Sequence, residues 1–372
     1  MKMKKVAIID PIGVKAGMDS YDCNLLASLA RMDIDGLLYS NFLWNEFPEK
    51  SFPFFSESIG HSLSGIFLLP LKYLKIIRHA KLKSCGSIII HVFHFNRMDE
   101  WVLEKIKIHG MKTIVIVHDV ESFISVTNSI RLKRVCEKLA DVLVVHNNYV
   151  SEELSKRISK EAAERIHVIP HGDFLNLASG SLSKEQARKK LGLNPEKKIG
   201  LFFGMIKETK GLDTLLHAWK NVAPDVGLII AGRLRNISFR KYQEIIDLEP
   251  ASQNIHLMLR QIKNEERNLL FRAADLVVLP YRRIYQSGVL LLSMSYGVPV
   301  IVTRLKAFEE VLRHEHNALF VDVEDPDQLS EAISALLNDT ELQERLSSNA
   351  LKTIHTNHNW TDIAMKFSKF IS

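Results

Sequence analysis

Cysteine is scarce in this sequence: Cys23, Cys85 and Cys136 stand far apart in 372 residues. An odd number of thiols with no Cys-x-x-Cys pair supports neither a disulfide framework nor a cysteine metal site, and fits a reducing cytoplasm. No metal centre is expected. Long apolar runs are also missing. None approaches the roughly 20 apolar residues that span a bilayer, and the first, VAII, is closed at once by Asp10 and Pro11. It reads as a strand, not as the core of a signal peptide. The dinucleotide fingerprint Gly-x-Gly-x-x-Gly is absent too, so a nicotinamide cofactor is the least favoured ligand.

Negative charge is missing locally. No acidic residue lies between Glu57 and Asp99, whereas Lys72, Lys75, Arg78, Lys81, Lys83 and Arg97 all do. Within 65–83 apolar and basic positions alternate at near-helical spacing. A helix of that kind can lie peripherally on an anionic membrane, here at the inner face of the cell membrane; it can equally be an ordinary amphipathic helix with a solvated basic edge. No nucleic-acid motif accompanies the charge, so nucleic acid is not an expected partner.

What is present is a repeated alternation of short apolar runs and helical periodicity. The runs at 6–9, 37–39, 87–92, 113–117, 142–145 and 167–169 lack strict alternation, as strands buried on both faces do. A second series follows at 200–203, 226–231, 255–258, 275–279, 298–302 and 319–321. The pattern predicts an α/β chain of two doubly wound, Rossmann-like parallel-sheet domains. The polar stretch 173–195 reads as the hinge, with a helix starting near Ser183, whose capping-box partner is Gln186, and stopping at Gly192. Ligands of such sheets bind beyond the carboxyl ends of the strands, so the chemistry is expected in the cleft between the domains.

The loops at those ends carry the candidates. After VAII, Gly13 and Gly17 precede a helix capped by Asp19 or Ser20. His118 and Asp119 end the fourth run. Gly204 ends the first run of the second series, and Lys207 and Lys210 follow it before Gly211 opens a helix. Lysines beside free helix N–H groups suit a multiply charged anion such as a diphosphate. In PYRRIYQSGVLLLSMSYGVPVIV, Ser287 is a natural N-cap, Gly288 permits close approach, and the apolar stretch after it predicts a buried helix that ends at Gly297.

The segments HVIPHGD, FGMIKETKGLDTLLHAW and PYRRIYQSGVLLLSMSYGVPVIV, in this order, resemble the GT-B-fold glycosyltransferases of family GT4, and the closing NWTDIAMKF resembles that family's last helix. The resemblance implies transfer of a sugar from a nucleoside diphosphate, a UDP- or GDP-sugar, to a saccharide or lipid-linked saccharide, with retention of configuration. It implies an acceptor domain at 1–175, a nucleotide-sugar domain at 196–355 and a tail at 356–372 crossing back to the first domain. By the same resemblance Lys207 and Lys210 hold the donor diphosphate, and His118 sits near the transferred sugar. Gly17, Gly204, Arg282, Gln286, Ser287, Gly288 and Val289 line the donor, with Arg260, Gln261 and Ile262 in the loop that meets the base. Many relatives carry two glutamates across the Gln286–Gly288 helix start. Here those positions are Ile284 and Leu292, as in the subset with PYR and QSG. That departure leaves two alternatives open: a non-catalytic GT-B binding subunit and a nucleotide-sugar epimerase.

Overall fold

The computed structural model describes residues 4–15, 17–55, 63–92, 95–121, 129–180, 182–248 and 254–372. The chain divides into two compact units, one of residues 1–172 and 358–372, the other of residues 173–357.

The first unit holds seven strands: β1 Lys5–Ile9, β2 Asp35–Tyr39, β3 Ser51–Phe52, β4 Ser87–Val92, β5 Lys112–Val117, β6 Val142–Val145 and β7 Ile166–Val168. Their order is β3-β2-β1-β4-β5-β6-β7, parallel throughout. The apolar runs end up as strands because helices cover both faces and leave no side of the sheet wet. The order reverses between β1 and β4, whose register pairs Val6 with Ser87 and Ile9 with Ile90. The two-residue edge strand β3 has too little apolar sequence to stand out. Helix Trp360–Ser368 belongs to this unit and seats Trp360, Ile363, Ala364 and Phe367 against Tyr21, Leu25 and Leu29 of helix Asp19–Ala30.

The second unit holds β8 Ile199–Phe203, β9 Gly227–Ala231, β10 Ile255–Met258, β11 Leu276–Leu279, β12 Val300–Thr303 and β13 Leu319–Val321, in the order β10-β9-β8-β11-β12-β13. Alternate residues of each strand feed different cores. Ile199, Leu201, Val277 and Leu279 pack into one cluster, while Phe202, Leu228, Leu276 and Val278 pack into the other. Here the order reverses between β8 and β11.

Some local expectations give way. The helix after Gly17 starts at Asp19 with Met18 at its cap position and no side-chain cap, because Met18 N bonds Gly13 O and leads a short helical turn straight into it. Val298 and Pro299 precede strand β12, which begins at Val300. The helical stretch from 129 changes to a π-turn over Val135–Leu139. The polar stretch at 173–195 is docked on the second unit. Arg188, buried in helix Lys184–Lys190, gives NH2 to Asp275 Oδ2 at 2.5 Å and Nε to Ala273 O at 3.0 Å. Asp275 Oδ2 also accepts from Ile199 N at 2.7 Å, so a fully bonded ion pair fixes the entry to the second sheet.

Candidate functional site

In the second unit, the loops after β8 and β11 meet at the reversal of strand order. Gly204 follows β8, with φ +107 and its N–H given to Ala231 O. Lys207 precedes the short turn Glu208–Lys210, and Gly211 then starts helix Leu212–Trp219. Gly211 has φ +62, and a Cβ there would lie 1.9 Å from Pro280 O. Only glycine lets the two loops come this close. The loops are stitched by Arg282, whose N–H reaches Thr209 O at 2.9 Å and whose guanidinium reaches Glu208 O at 2.8 Å. Lys210 Nζ stands 3.4 Å from the ring centre of the buried Tyr281, a cation–π contact that holds the ammonium in place.

Helix Gly288–Ser295 begins in the loop after β11, where Val289 comes up against Gly204 of the loop after β8. Ser287 caps it, its Oγ accepting from Leu290 N at 3.2 Å, and residues 290–295 are buried as their apolar character predicts. Nothing lies within 4 Å of where a Cβ of Gly288 would be. Gln286 Nε2 and Thr209 Oγ1 are buried atoms without a hydrogen-bond partner. A buried donor left so carries a desolvation cost that a ligand acceptor removes. Ile284 and Leu292 pack with the apolar core cluster, Leu292 as a buried member.

The remaining sequence candidates fall in two places. Val289 is half-buried, and its Cγ2 would lie 3.2 Å from a Cβ on Gly204. Arg282 is turned to acids: it gives NH1 to Asp213 Oδ1 at 2.8 Å and Nε to Glu324 Oε1 at 2.6 Å. In this arrangement it braces loops, its guanidinium taken up by the carboxylates of Asp213 and Glu324. Arg260 likewise grips Glu266 with two bonds, at 2.8 and 2.6 Å, beyond the edge strand β10, with Gln261 exposed and Ile262 half-buried next to it.

The first unit closes its strand ends differently. Gly17 has φ +72 with nothing near its Cβ direction. His118, just past β5, is buried and gives its backbone N–H to Val92 O. Around it stand polar groups that the sequence did not single out. His91 Nε2 lies 2.9 Å from Asp22 Oδ1 and His91 Nδ1 lies 2.8 Å from His118 Nε2. His146 Nδ1 donates to Ile169 O at 2.9 Å, and His171 Nδ1 donates to Gly172 O at 2.7 Å. Tyr21 sits among His91, His146, His171 and Trp360, with ring centres 4.9 to 5.6 Å away. The His-Gly-Asp segment thus gains a structural reason: a Cβ on Gly172 would lie 2.1 Å from Trp360 Cε2.

Burial sets the charge of this cluster. It drives His118 and His171 well below the ordinary imidazole value, with the neighbouring histidines adding to the effect, and takes His146 down to about 4. Burial, then Asp22, raises Asp10 to about 7, and burial pushes Asp22 well above the usual carboxylate range. The histidines are neutral at pH 7. Among the described residues no group of three or more His, Cys, Asp or Glu is arranged to hold a metal ion. The two Asp-x-Asp triplets have other work: Asp35 pairs with Lys5 and Lys50, and Asp325 caps helix Pro326–Asn338. No helix among the described residues is long and apolar enough to cross a membrane.

Residues 183–353 match the model of the family described as Glycosyl transferases group 1. An uncharacterized glycosyltransferase of Methanocaldococcus jannaschii, MJ1607, is 26% identical over 181 residues, which is 48% of this chain and 45% of that protein. The chain spans about half the length of the first curated relatives it matches. Among solved structures, sucrose-phosphate synthase from Thermosynechococcus elongatus aligns over 98% of both chains, with a TM-score of 0.77 and 20% identity. Anabaena Alr3699/HepE in complex with UDP-glucose aligns over 98% of both, with a TM-score of 0.78 and 16% identity. The fold is therefore GT-B, with two Rossmann-like parallel-sheet units, as the strand patterns predict.

Proposed function

We propose that this chain is a glycosyltransferase that moves a sugar from a nucleoside-diphosphate sugar to a saccharide or lipid-linked saccharide, with retention of configuration, in glycoconjugate synthesis. The observation that carries the reading is the second unit's switch point. Two lysines, the start of a buried helix and two unpartnered buried polar atoms, Gln286 Nε2 and Thr209 Oγ1, share one cluster of loops. Departure of the sugar leaves negative charge on the diphosphate, and fixed positive groups at that point lower the barrier. Lys207, Lys210 and the N–H groups of Gly288 and Val289 supply them in this scheme, and His118 contacts the sugar. The family match over 183–353 and the relatives' names support the class of reaction.

The donor test is thermal shift against UDP, GDP, ADP and CMP, with UDP first because one structural neighbour was crystallised with UDP-glucose. Ligand at about 100 times its dissociation constant adds roughly 2.7 kcal/mol of stability. A shift with a single nucleoside diphosphate identifies the donor class; no shift with any of them contradicts the reading.

A membrane-bound acceptor fits helix Leu63–Leu82. Leu68, Leu71, Lys75, Arg78 and Leu82 form an exposed stripe along it, although the side chains of 65–67 lie outside the described residues. Flotation with vesicles containing anionic lipid tests this; protein left at the bottom of the gradient removes it.

A further inference from the structure

The ladder between β8 and β9 continues past the strands. Its register pairs Ile199 with Gly227 through to Phe203 with Ala231, and the same offset returns beyond them, where Ile206 pairs with Leu234. Ile206 N bonds Arg233 O at 2.9 Å, and Arg235 N bonds Ile206 O at 3.0 Å. Gly232 keeps the two loops together, since a Cβ there would lie 1.8 Å from Gly204 O. Met205 therefore stands across from Arg233, and Lys207 across from Arg235.

Ile206 and Leu234 pack on the same apolar cluster. Side chains alternate along extended backbone, so the residues that flank these two, Met205, Lys207, Arg233 and Arg235, turn to the opposite face. The bond from Arg235 NH1 to Met205 Sδ, at 3.6 Å, lies on that face. Lys207, Arg233 and Arg235 thus share it. Both arginines are half-buried. Among the described residues the guanidinium of Arg235 meets only that thioether, a weak acceptor, and the guanidinium of Arg233 has no hydrogen bond or ion pair. Other arginines of this unit hold carboxylates: Arg188 grips Asp275, Arg260 grips Glu266, and Arg282 grips Asp213 and Glu324. Glu208, next to Lys207, is paired with Lys241. Like charges directly across a ladder repel, and a half-buried guanidinium without an acceptor carries a desolvation cost. A multiply charged anion relieves both.

We propose that Arg233 and Arg235, on the loop after β9, form with Lys207 a site for the diphosphate of the donor. A guanidinium fork matches phosphate oxygens with two parallel N–H bonds, which a lysine cannot do. β9 lies between β8, whose loop carries the lysines, and β10, whose loop carries Arg260 to Ile262. A nucleotide reaching from the lysines to that loop passes the two arginines. Identifying the anion as the donor's diphosphate rests on the glycosyltransferase reading, whereas the anion site stands on the register and the two guanidinium groups alone.

Calorimetric titration of the full chain with inorganic pyrophosphate and with UDP reads the site. Arg233→Gln and Arg235→Gln should each weaken both ligands by about tenfold, as loss of a hydrogen bond to a charged group does. Arg235→Lys, which keeps the charge without the fork, should fall between Arg235→Gln and the native chain. The melting temperature of the ligand-free variants should stay level or rise, because a repulsion is relieved. Arg240→Gln is the control: its arginine pairs with Glu244 on the surface, and both affinities should stay unchanged. Glutamine variants that bind pyrophosphate as tightly as the native chain overturn the proposal, and so does a native chain that binds no pyrophosphate. Pyrophosphate held through the arginines by a protein that transfers sugar from no nucleoside-diphosphate sugar would instead sink the glycosyltransferase reading and leave the anion site standing. Sugar transfer undiminished in both glutamine variants would do the reverse.

Discussion

In the first unit β1 is followed by Asp10, β4 contains His91, and β5 and β6 are followed by His118 and His146, all buried. In the second unit β8 is followed by Gly204 and β11 by Pro280, with Lys207 and Lys210 in partly exposed loops. The strand order around the reversal is the same, yet the two mouths are built from opposite materials. One is a buried network of carboxyls and histidines; the other is a set of lysines, backbone N–H groups and glycines. A parallel sheet delivers strand ends to one edge, and the residues just past each end decide whether that edge is lined by buried histidines and carboxyls or by lysines and glycines.

Equivalent glycines offer the severest test of that contrast. Gly211 and Gly17 both have positive φ in the loop after the first strand of their unit. A Cβ on Gly211 meets Pro280 O at 1.9 Å, whereas one on Gly17 meets nothing within 4 Å. Gly211→Ala should cost about 3 to 5 kcal/mol, adding backbone displacement to left-handed strain, and Gly17→Ala only about 1 to 2. Urea midpoints compare them; equal losses would mean that the second loop pair is less tightly joined than its geometry implies.

Acid should act on the first unit through its histidines. His146, at about 4 in the folded chain against 6.5 for an ordinary imidazole, binds fewer protons folded than unfolded between those pH values. Its contribution is fully present above pH 6.5 and is lost as pH falls toward 4, amounting to about 3 kcal/mol. Asp10, raised to about 7, has the opposite sign and stabilises as pH falls from 7 toward 3.8. The clean measurement is therefore the melting temperature of the native chain minus that of His146→Gln from pH 7.5 to 4.5. The difference should shrink in acid, and a flat difference would remove His146 from the account.

Lys210→Ala probes the other mouth. Loss of one fixed charge at a departing diphosphate should lower turnover by about 10²-fold, equivalent to about 2.7 kcal/mol. The fold should tolerate it, since Lys210 is only partly buried. Near-normal turnover would take Lys210 out of the donor site.

Much of the fold was legible because both sheets are buried on both faces, so nearly every strand announces itself as an apolar run. The second unit's loops were legible for a related reason: lysine, glycine and a Ser-Gly helix start are local signals. The first unit's network was not. Its members come from Asp10, Asp22, His91, His146 and His171, which are far apart in sequence and meet only when five strands lie side by side with helix Asp19–Ala30 packed against them. A signal did exist in the recurrence of Asp or His at the ends of VAII, SIIIHV, TIVIV and VLVV, but each residue alone looks like an ordinary polar punctuation mark. The pairing of Arg282 with Asp213 and Glu324 was hidden for the same reason, since its acids lie 69 and 42 residues away.

The smallest effect separates cap from site. Asn147 caps helix Asn148–Ser155 in the first unit, its Oδ1 accepting from Val150 N at 2.8 Å, and Ser287 caps helix Gly288–Ser295 in the second. Both caps are buried. Replacing either by alanine should cost about 1 kcal/mol of stability, because each leaves one helix N–H without its acceptor. Their effects on nucleotide should differ. Ser287→Ala loosens the turn that directs the N–H groups of Gly288 and Val289, so the affinity for the nucleoside diphosphate should fall several-fold, by up to about 1 kcal/mol. Asn147→Ala should leave that affinity unchanged. Calorimetric titration of the two variants with the nucleotide found in the thermal-shift series decides the matter: equal affinities would leave Ser287 as a cap and nothing more, and would shift the weight of diphosphate binding onto the two lysines.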